Sequence, residues 1–128
     1  LLISLVQPGD TVVFPLQGYK PTRMISREFL KRVGVAGVAV DISDFAALEE
    51  LFSTSKVRAF IFESPSNPMT RLTDIEKVTS LARRYGVTTV LDNTFGTPLQ
   101  HGEFFIDYYI HSLTKYCSGH GDVLGGIV

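Results

Sequence analysis

A single cysteine, Cys117, leaves no partner for an internal disulfide, and a reducing cytoplasm is the expected setting. No apolar run approaches the roughly 20 residues that a helix needs to cross a bilayer, so no membrane partner is expected. Excess charge of one sign is also missing: the net charge is -1, which gives no reason to expect nucleic acid. Arg23, Arg27, Lys31 and Arg32 are interrupted by Glu28 and apolar residues and read as a solvated helix face. Several enzyme motifs are absent as well. There is no G-x-G-x-x-G after a strand and no P-loop, and no G-x-S-x-G elbow. His101, His111 and His120 lack partners at metal-ligand spacing, so no metal is expected. The chain lacks an initiator methionine, opens on what reads as a helix tail and closes inside an apolar run. It is therefore expected to be an internal fragment.

What is present describes one globular unit or a piece of one, 45% hydrophobic and 20% charged. Residues 1–6 read as a helix tail stopped by Pro8 and Gly9, and the β-branched and aromatic run 11–14 as a short buried strand. A loop at 17–21 precedes a helix over 22–33 that Gly34 ends. Residues 37–41 form a second strand, after which Phe45, Leu48, Leu51 and Phe52 share a helical face. The unbroken apolar centre of 58–63 suits a strand covered on both sides, and Ser64, Pro65 and Pro68 break it. The capping-box pattern Thr73-Asp74-Ile75-Glu76 opens a helix over 73–85 that carries an apolar stripe, with Gly86 as its stop. Residues 87–92 and 107–110 are the fourth and fifth strands. Alternating strands and helices predict an α/β fold of three layers, a mostly parallel sheet with helices on both faces, with no internal repeat.

Such sheets bind ligands at the carboxyl ends of their strands. The polar residues that stand out fall there: Tyr19 after the first strand, Asn67 after the third, Asp92 and Thr94 after the fourth, and Ser112, Thr114 and Lys115 after the fifth. An amine held in a largely buried site loses solvation and becomes a nucleophile toward an aldehyde. These residue types would suit an aldehyde-bearing pyridine phosphate. Lys115 would form the Schiff base, and Asp92 would keep the pyridine nitrogen protonated. Ser112 and Thr114 would donate to the phosphate, Asn67 to a ring hydroxyl, and Tyr19 would lie over the ring. Each also suits a plainer role. Lys115 also reads as a solvated lysine after a strand, Asp92 as a cap, Ser112, Thr114 and Asn67 as turn residues, and Tyr19 as an exposed loop tyrosine.

The blocks Glu63-Ser64-Pro65-Ser66-Asn67-Pro68, Leu91 to Pro98 and His111-Ser112-Leu113-Thr114-Lys115-Tyr116, with the glycine-rich run after Gly119, resemble the signature blocks of the Cys/Met-metabolism pyridoxal-phosphate enzymes. That family includes cystathionine γ-synthase, γ-lyase and β-lyase, methionine γ-lyase and O-acetylhomoserine sulfhydrylase. The resemblance implies that residues 1–128 are the central part of a fold-type I, aspartate-aminotransferase-like cofactor domain. It further implies pyridoxal 5'-phosphate, a sulfur amino acid or activated homoserine as substrate, and a homo-oligomer, a dimer of dimers. Residue by residue, it makes Lys115 the Schiff-base lysine and Asp92 the partner of the pyridine nitrogen. Ser112 and Thr114 become phosphate ligands, Asn67 lies near the ring hydroxyl, Thr94 under the ring, and Tyr19 is a catalytic tyrosine stacked above it. The family's Tyr-Gly-Gly-Thr stands here as Tyr19-Lys20-Pro21-Thr22. The family's phosphate loop and its substrate-carboxylate arginine match nothing between Leu1 and Val128, so these residues alone are not expected to be a competent catalyst. From another class, a non-catalytic relative or assembly subunit would keep the fold without needing Asp92, Ser112, Thr114 and Lys115.

Overall fold

The computed structural model describes residues 1–100 and 102–128. His101, one of the histidines considered above as a metal ligand, lies outside them. A six-stranded sheet runs in the order β2-β1-β3-β4-β5-β6, formed by β1 (Thr11–Pro15), β2 (Ala36–Val40), β3 (Val57–Glu63), β4 (Thr88–Asp92), β5 (Tyr108–Ser112) and β6 (Gly126–Ile127). The first five are parallel, and β6 pairs with β5 antiparallel. β1 is buried along its whole length, as is β3 except at Arg58. That is why their sequences are apolar runs rather than alternating patterns.

Side chains from successive strand residues go to opposite faces, and each face has its own core. Val13, Phe60, Phe62 and Leu91 pack with Leu48 and Phe52 of α4 (Phe45–Thr54) and with Val78, Leu81 and Ala82 of α5 (Ile75–Arg84). Val12, Phe14, Ile61 and Val90 pack on the other face with Leu30 of α3 (Leu30–Arg32) and with Leu2 and Leu5 of α1 (Leu2–Leu5). Crossovers between parallel strands keep one hand. The β1-to-β2 connection steps across the sheet in one direction. Those from β2 to β3 and from β3 to β4 step in the other, so their helices cover the opposite face.

Local chemistry explains most element ends and some departures from the sequence reading. Asp44 caps α4 by accepting from the Ala47 N–H at 3.0 Å. The cap of α5 is Asp74, which accepts from Lys77 N–H at 3.0 Å, and not Thr73 of the capping-box pattern. Thr73 instead turns back to the end of β3, its hydroxyl donating to Glu63 O at 3.3 Å and its N–H to Ser64 Oγ at 3.1 Å. The helix expected over 22–33 begins earlier, at α2 (Lys20–Met24). Pro21 sits in its first turn, where its missing N–H costs nothing. A π-helical turn over Ile25–Phe29 then leads into α3. This helical segment lies close on β2 because residue 37 is glycine: a Cβ there would run into the Ser26 carbonyl. The antiparallel β6 was not anticipated, since two residues carry no periodic signal.

Candidate active site

The pairing register brings the carboxyl ends of three strands level. Glu63 of β3 stands beside Asp92 of β4, and Asp92 beside Ile110 of β5. Because β1 lies next to β3, the loop after β1 joins the same rim. The result is a cleft of about 300 Å³. Tyr19 reaches it from the β1 loop and Asn67 from the β3 loop; Asp92 and Thr94 line it from the end of β4, and Ser112 and Lys115 from the end of β5. Six of the seven residues singled out in the sequence therefore share one cavity.

Its floor is a hydrogen-bonded unit. Asp92 Oδ1 accepts from the Thr94 N–H at 3.1 Å and from the Thr94 hydroxyl at 2.5 Å. The same hydroxyl oxygen accepts from the Ser112 N–H at 2.9 Å, so Thr94 ties the ends of β4 and β5 together. Both bonds to Asp92 fall on Oδ1, and Oδ2 accepts none from the described residues. Buried Asn93 anchors the chain behind it: its N–H donates to Ile110 O at 2.9 Å and its amide to Thr97 O at 3.2 Å.

The sequence reading passed over Glu63. This glutamate ends β3, is 8% exposed and lines the cleft. Its Oε1 accepts from the Tyr19 N–H at 2.6 Å and its Oε2 from the Asn67 N–H at 2.8 Å. Burial pushes its carboxyl above the ordinary value, opposed by the two N–H donors and reinforced by the charge of Asp92, with Arg23 pulling the other way. A signal was available, because an acid closing an apolar strand is costly to bury wherever it occurs.

Two residues are not placed as expected. Lys115 is exposed, so the buried amine anticipated from the sequence is absent among these residues. Its backbone breaks the helical turn Leu113–Cys117, with φ -94 and ψ -119. Thr114 does not line the cleft; its Oγ1 accepts from the Gly125 N–H at 3.1 Å and lies 3.4 Å from Gly125 O, fastening the chain just before β6.

A cavity of about 350 Å³ opens at the other end of β4, lined by Arg83, Thr88, Phe105 and Asp107 among others. Asp107 and Thr89 are paired there: Asp107 Oδ2 accepts from the Thr89 N–H and hydroxyl, each at 2.7 Å, and Arg83 lies over the Phe105 ring at 4.5 Å. Among the described residues no lysine or cysteine lines it. Although smaller, the cleft at the carboxyl ends is the one that carries chemistry. Among the described residues no group of His, Cys, Asp and Glu could hold a metal, and no helix is long and apolar enough to cross a membrane.

The residues fit an aromatic ligand with a protonated ring nitrogen. Two carboxylates, Glu63 and Asp92, face a space edged by Tyr19 and Phe95, with an amine and a hydroxyl from the β5 end. An acid pair of this kind favours a protonated ring nitrogen beside it, and the aromatic rims offer a stacking surface.

Comparison with known proteins points the same way. The family model described as Cys/Met metabolism PLP-dependent enzyme matches residues 1–128. Cystathionine gamma-synthase 1, chloroplastic, of Arabidopsis thaliana is 37% identical over 130 residues, covering 100% of this chain and 23% of that protein. L-methionine gamma-lyase of Pseudomonas putida is 42% identical over 129 residues, covering 99% of this chain and 32% of that protein. A Campylobacter jejuni structure described as an O-acetylhomoserine (thiol)-lyase, solved with N'-pyridoxyl-lysine-5'-monophosphate, superposes with a TM-score of 0.90 at 36% identity, over 98% of this chain and 31% of its own. The chain thus spans between about a quarter and a third of the length of these relatives.

Proposed function

The chain belongs to the Cys/Met metabolism PLP-dependent enzymes, and from that premise we propose that it forms the central part of the cofactor domain of a carbon–sulfur lyase or transferase. The reaction proposed is γ-elimination or γ-replacement on a sulfur amino acid or activated homoserine, as in cystathionine γ-synthase or γ-lyase. The observation that carries this reading is the convergence of Lys115, Asp92, Asn67, Tyr19 and Ser112 on one cleft. When bound, pyridoxal 5'-phosphate supplies an aldehyde for an amine and a ring that takes up electrons from the substrate.

In this proposal Lys115 would supply the amine that the aldehyde takes and would carry protons between the substrate α-carbon and its neighbours. Asp92 would hold a proton on the ring nitrogen through its unspent Oδ2, with Oδ1 fixed by the Thr94 N–H and hydroxyl, and Thr94 would lie under the ring. Asn67 donates its side-chain amide to the ring hydroxyl, and Tyr19 covers the ring face. Ser112 gives its hydroxyl to the phosphate. Thr114 would join it by turning its O–H from Gly125 O, 3.4 Å away, to a phosphate oxygen, while its Oγ1 still accepts from the Gly125 N–H. Lys115 is exposed, so desolvation of its amine falls to whatever closes over the cleft. We further propose a homo-oligomer, a dimer of dimers. The free thiol of Cys117 fits the cytoplasm.

The test adds pyridoxal 5'-phosphate to the full-length protein. A visible absorption band that Lys115→Ala abolishes is expected, and identical spectra for wild type and variant would end the proposal. The 42% identity to a methionine γ-lyase keeps that activity as the second reading. Assays with cystathionine, methionine and O-acylhomoserine, following ammonia, 2-oxobutanoate, pyruvate and thiol, separate the two. The same assays would register a β-lyase or a sulfhydrylase.

A further inference from the structure

Glu63 contacts the backbone of two loops far apart in sequence. Tyr19 is the N-cap of α2, so its N–H lies outside that helix's own ladder, and Asn67 sits in the break after β3. Each needs an acceptor, and one carboxylate supplies both, at 2.6 and 2.8 Å. The approach is made possible by Gly18: a Cβ there would come within 3.1 Å of Glu63 Oε1. Arg23 holds the start of the same loop by donating to Leu16 O at 2.7 Å. An ionised acid buried between strands is otherwise unfavourable, and nothing in the packing of β3 asks for one. Apolar residues fill the rest of that strand's end.

We propose that Glu63 is a positioning residue of the cleft: by accepting from the Tyr19 and Asn67 N–H groups at once, it fixes the two loops so that both side chains are presented to the same ligand. The proposal rests on the cofactor reading above for the identity of that ligand. The clamp itself is a property of this chain's own atoms.

The experiment uses the full-length protein and the variants Glu63→Gln and Glu63→Ala. Hydrogen–deuterium exchange at single amides is read by mass spectrometry, and pyridoxal 5'-phosphate is titrated by absorbance and circular dichroism. Glutamine has the same shape but only one accepting oxygen. One of the two amides, Tyr19 or Asn67, is therefore expected to exchange about tenfold faster in Glu63→Gln, and both in Glu63→Ala, while amides inside β1 and β3 keep their protection. With the loops loosened, the cofactor dissociation constant is expected to rise about tenfold in Glu63→Ala, with a weaker dichroic band. A role confined to stability would lower protection throughout the sheet instead, and that outcome overturns the proposal. So do unchanged amides, or faster amides with unchanged cofactor affinity and dichroism. If Glu63→Ala does not fold, Glu63→Gln carries the same test. Should the wild type bind no pyridoxal 5'-phosphate, the cofactor reading fails, and the amide exchange still decides whether the clamp exists.

Discussion

Replacing Asp92 with asparagine removes one negative charge and almost nothing else. The asparagine oxygen still accepts from the Thr94 N–H and hydroxyl, as Oδ1 does at 3.1 and 2.5 Å, so the Thr94 link to Ser112 survives. What is lost is the charge-assisted bond proposed between Oδ2 and a protonated ring nitrogen. Such bonds contribute about 1.5–3 kcal/mol. At roughly 1.4 kcal/mol per factor of ten, turnover is expected to fall about 10- to 150-fold. The cofactor band should persist, because Lys115 is untouched. The assay is steady-state turnover of cystathionine, run beside a cofactor titration and a thermal melt on full-length Asp92→Asn. A melt unchanged within a degree or so, with turnover down by that factor, is the expected result. Undiminished turnover would refute the pairing of Asp92 with the ring, and a collapse of the melt would show that the carboxylate serves the fold instead.

Thr94→Val strips the Ser112 N–H of its acceptor and Asp92 of its side-chain donor. A loss of about 1 kcal/mol in stability and weaker cofactor binding are expected from denaturant titration and absorbance. Gly37→Ala pushes a methyl into the Ser26 carbonyl and should cost roughly 1–3 kcal/mol by overpacking, read as a lower urea midpoint. Asp10 accepts from Lys56 Nζ at 2.7 Å and from the Gln7 N–H at 2.8 Å; the Lys56 bond, then the Gln7 N–H, hold its carboxyl below the ordinary 3.8. With the folded value depressed, the unfolded chain binds the proton first. The contribution is whole above the unfolded value and disappears as pH falls through the folded one. Asp10→Asn should therefore flatten the acid limb of the stability curve while leaving the slope near neutrality unchanged, and an acid limb identical to wild type would exclude Asp10 as its source.

The sequence by itself determined the alternation of strands and helices, the burial of 59–63 on both faces and the polar residue types at the strand ends. Periodicity and apolar run length are local properties, set by backbone geometry within a few residues. Which strand lies beside which is not local. The order β2-β1-β3-β4-β5 brings the Tyr19 and Asn67 loops together, and the register sets Glu63 next to Asp92. Both follow from packing across the whole sheet. Asp74 rather than Thr73 caps α5 because the end of β3 competes for the Thr73 hydroxyl, and Thr114 serves Gly125 because the chain returns as β6. The exposure of Lys115 belongs here too, since burial is decided by what lies across a cleft and not by sequence neighbours. Only tertiary structure turned Glu63 from the last residue of an apolar strand into an acceptor for two loops, because its bond from the Tyr19 N–H spans 44 residues and leaves no trace in local sequence pattern.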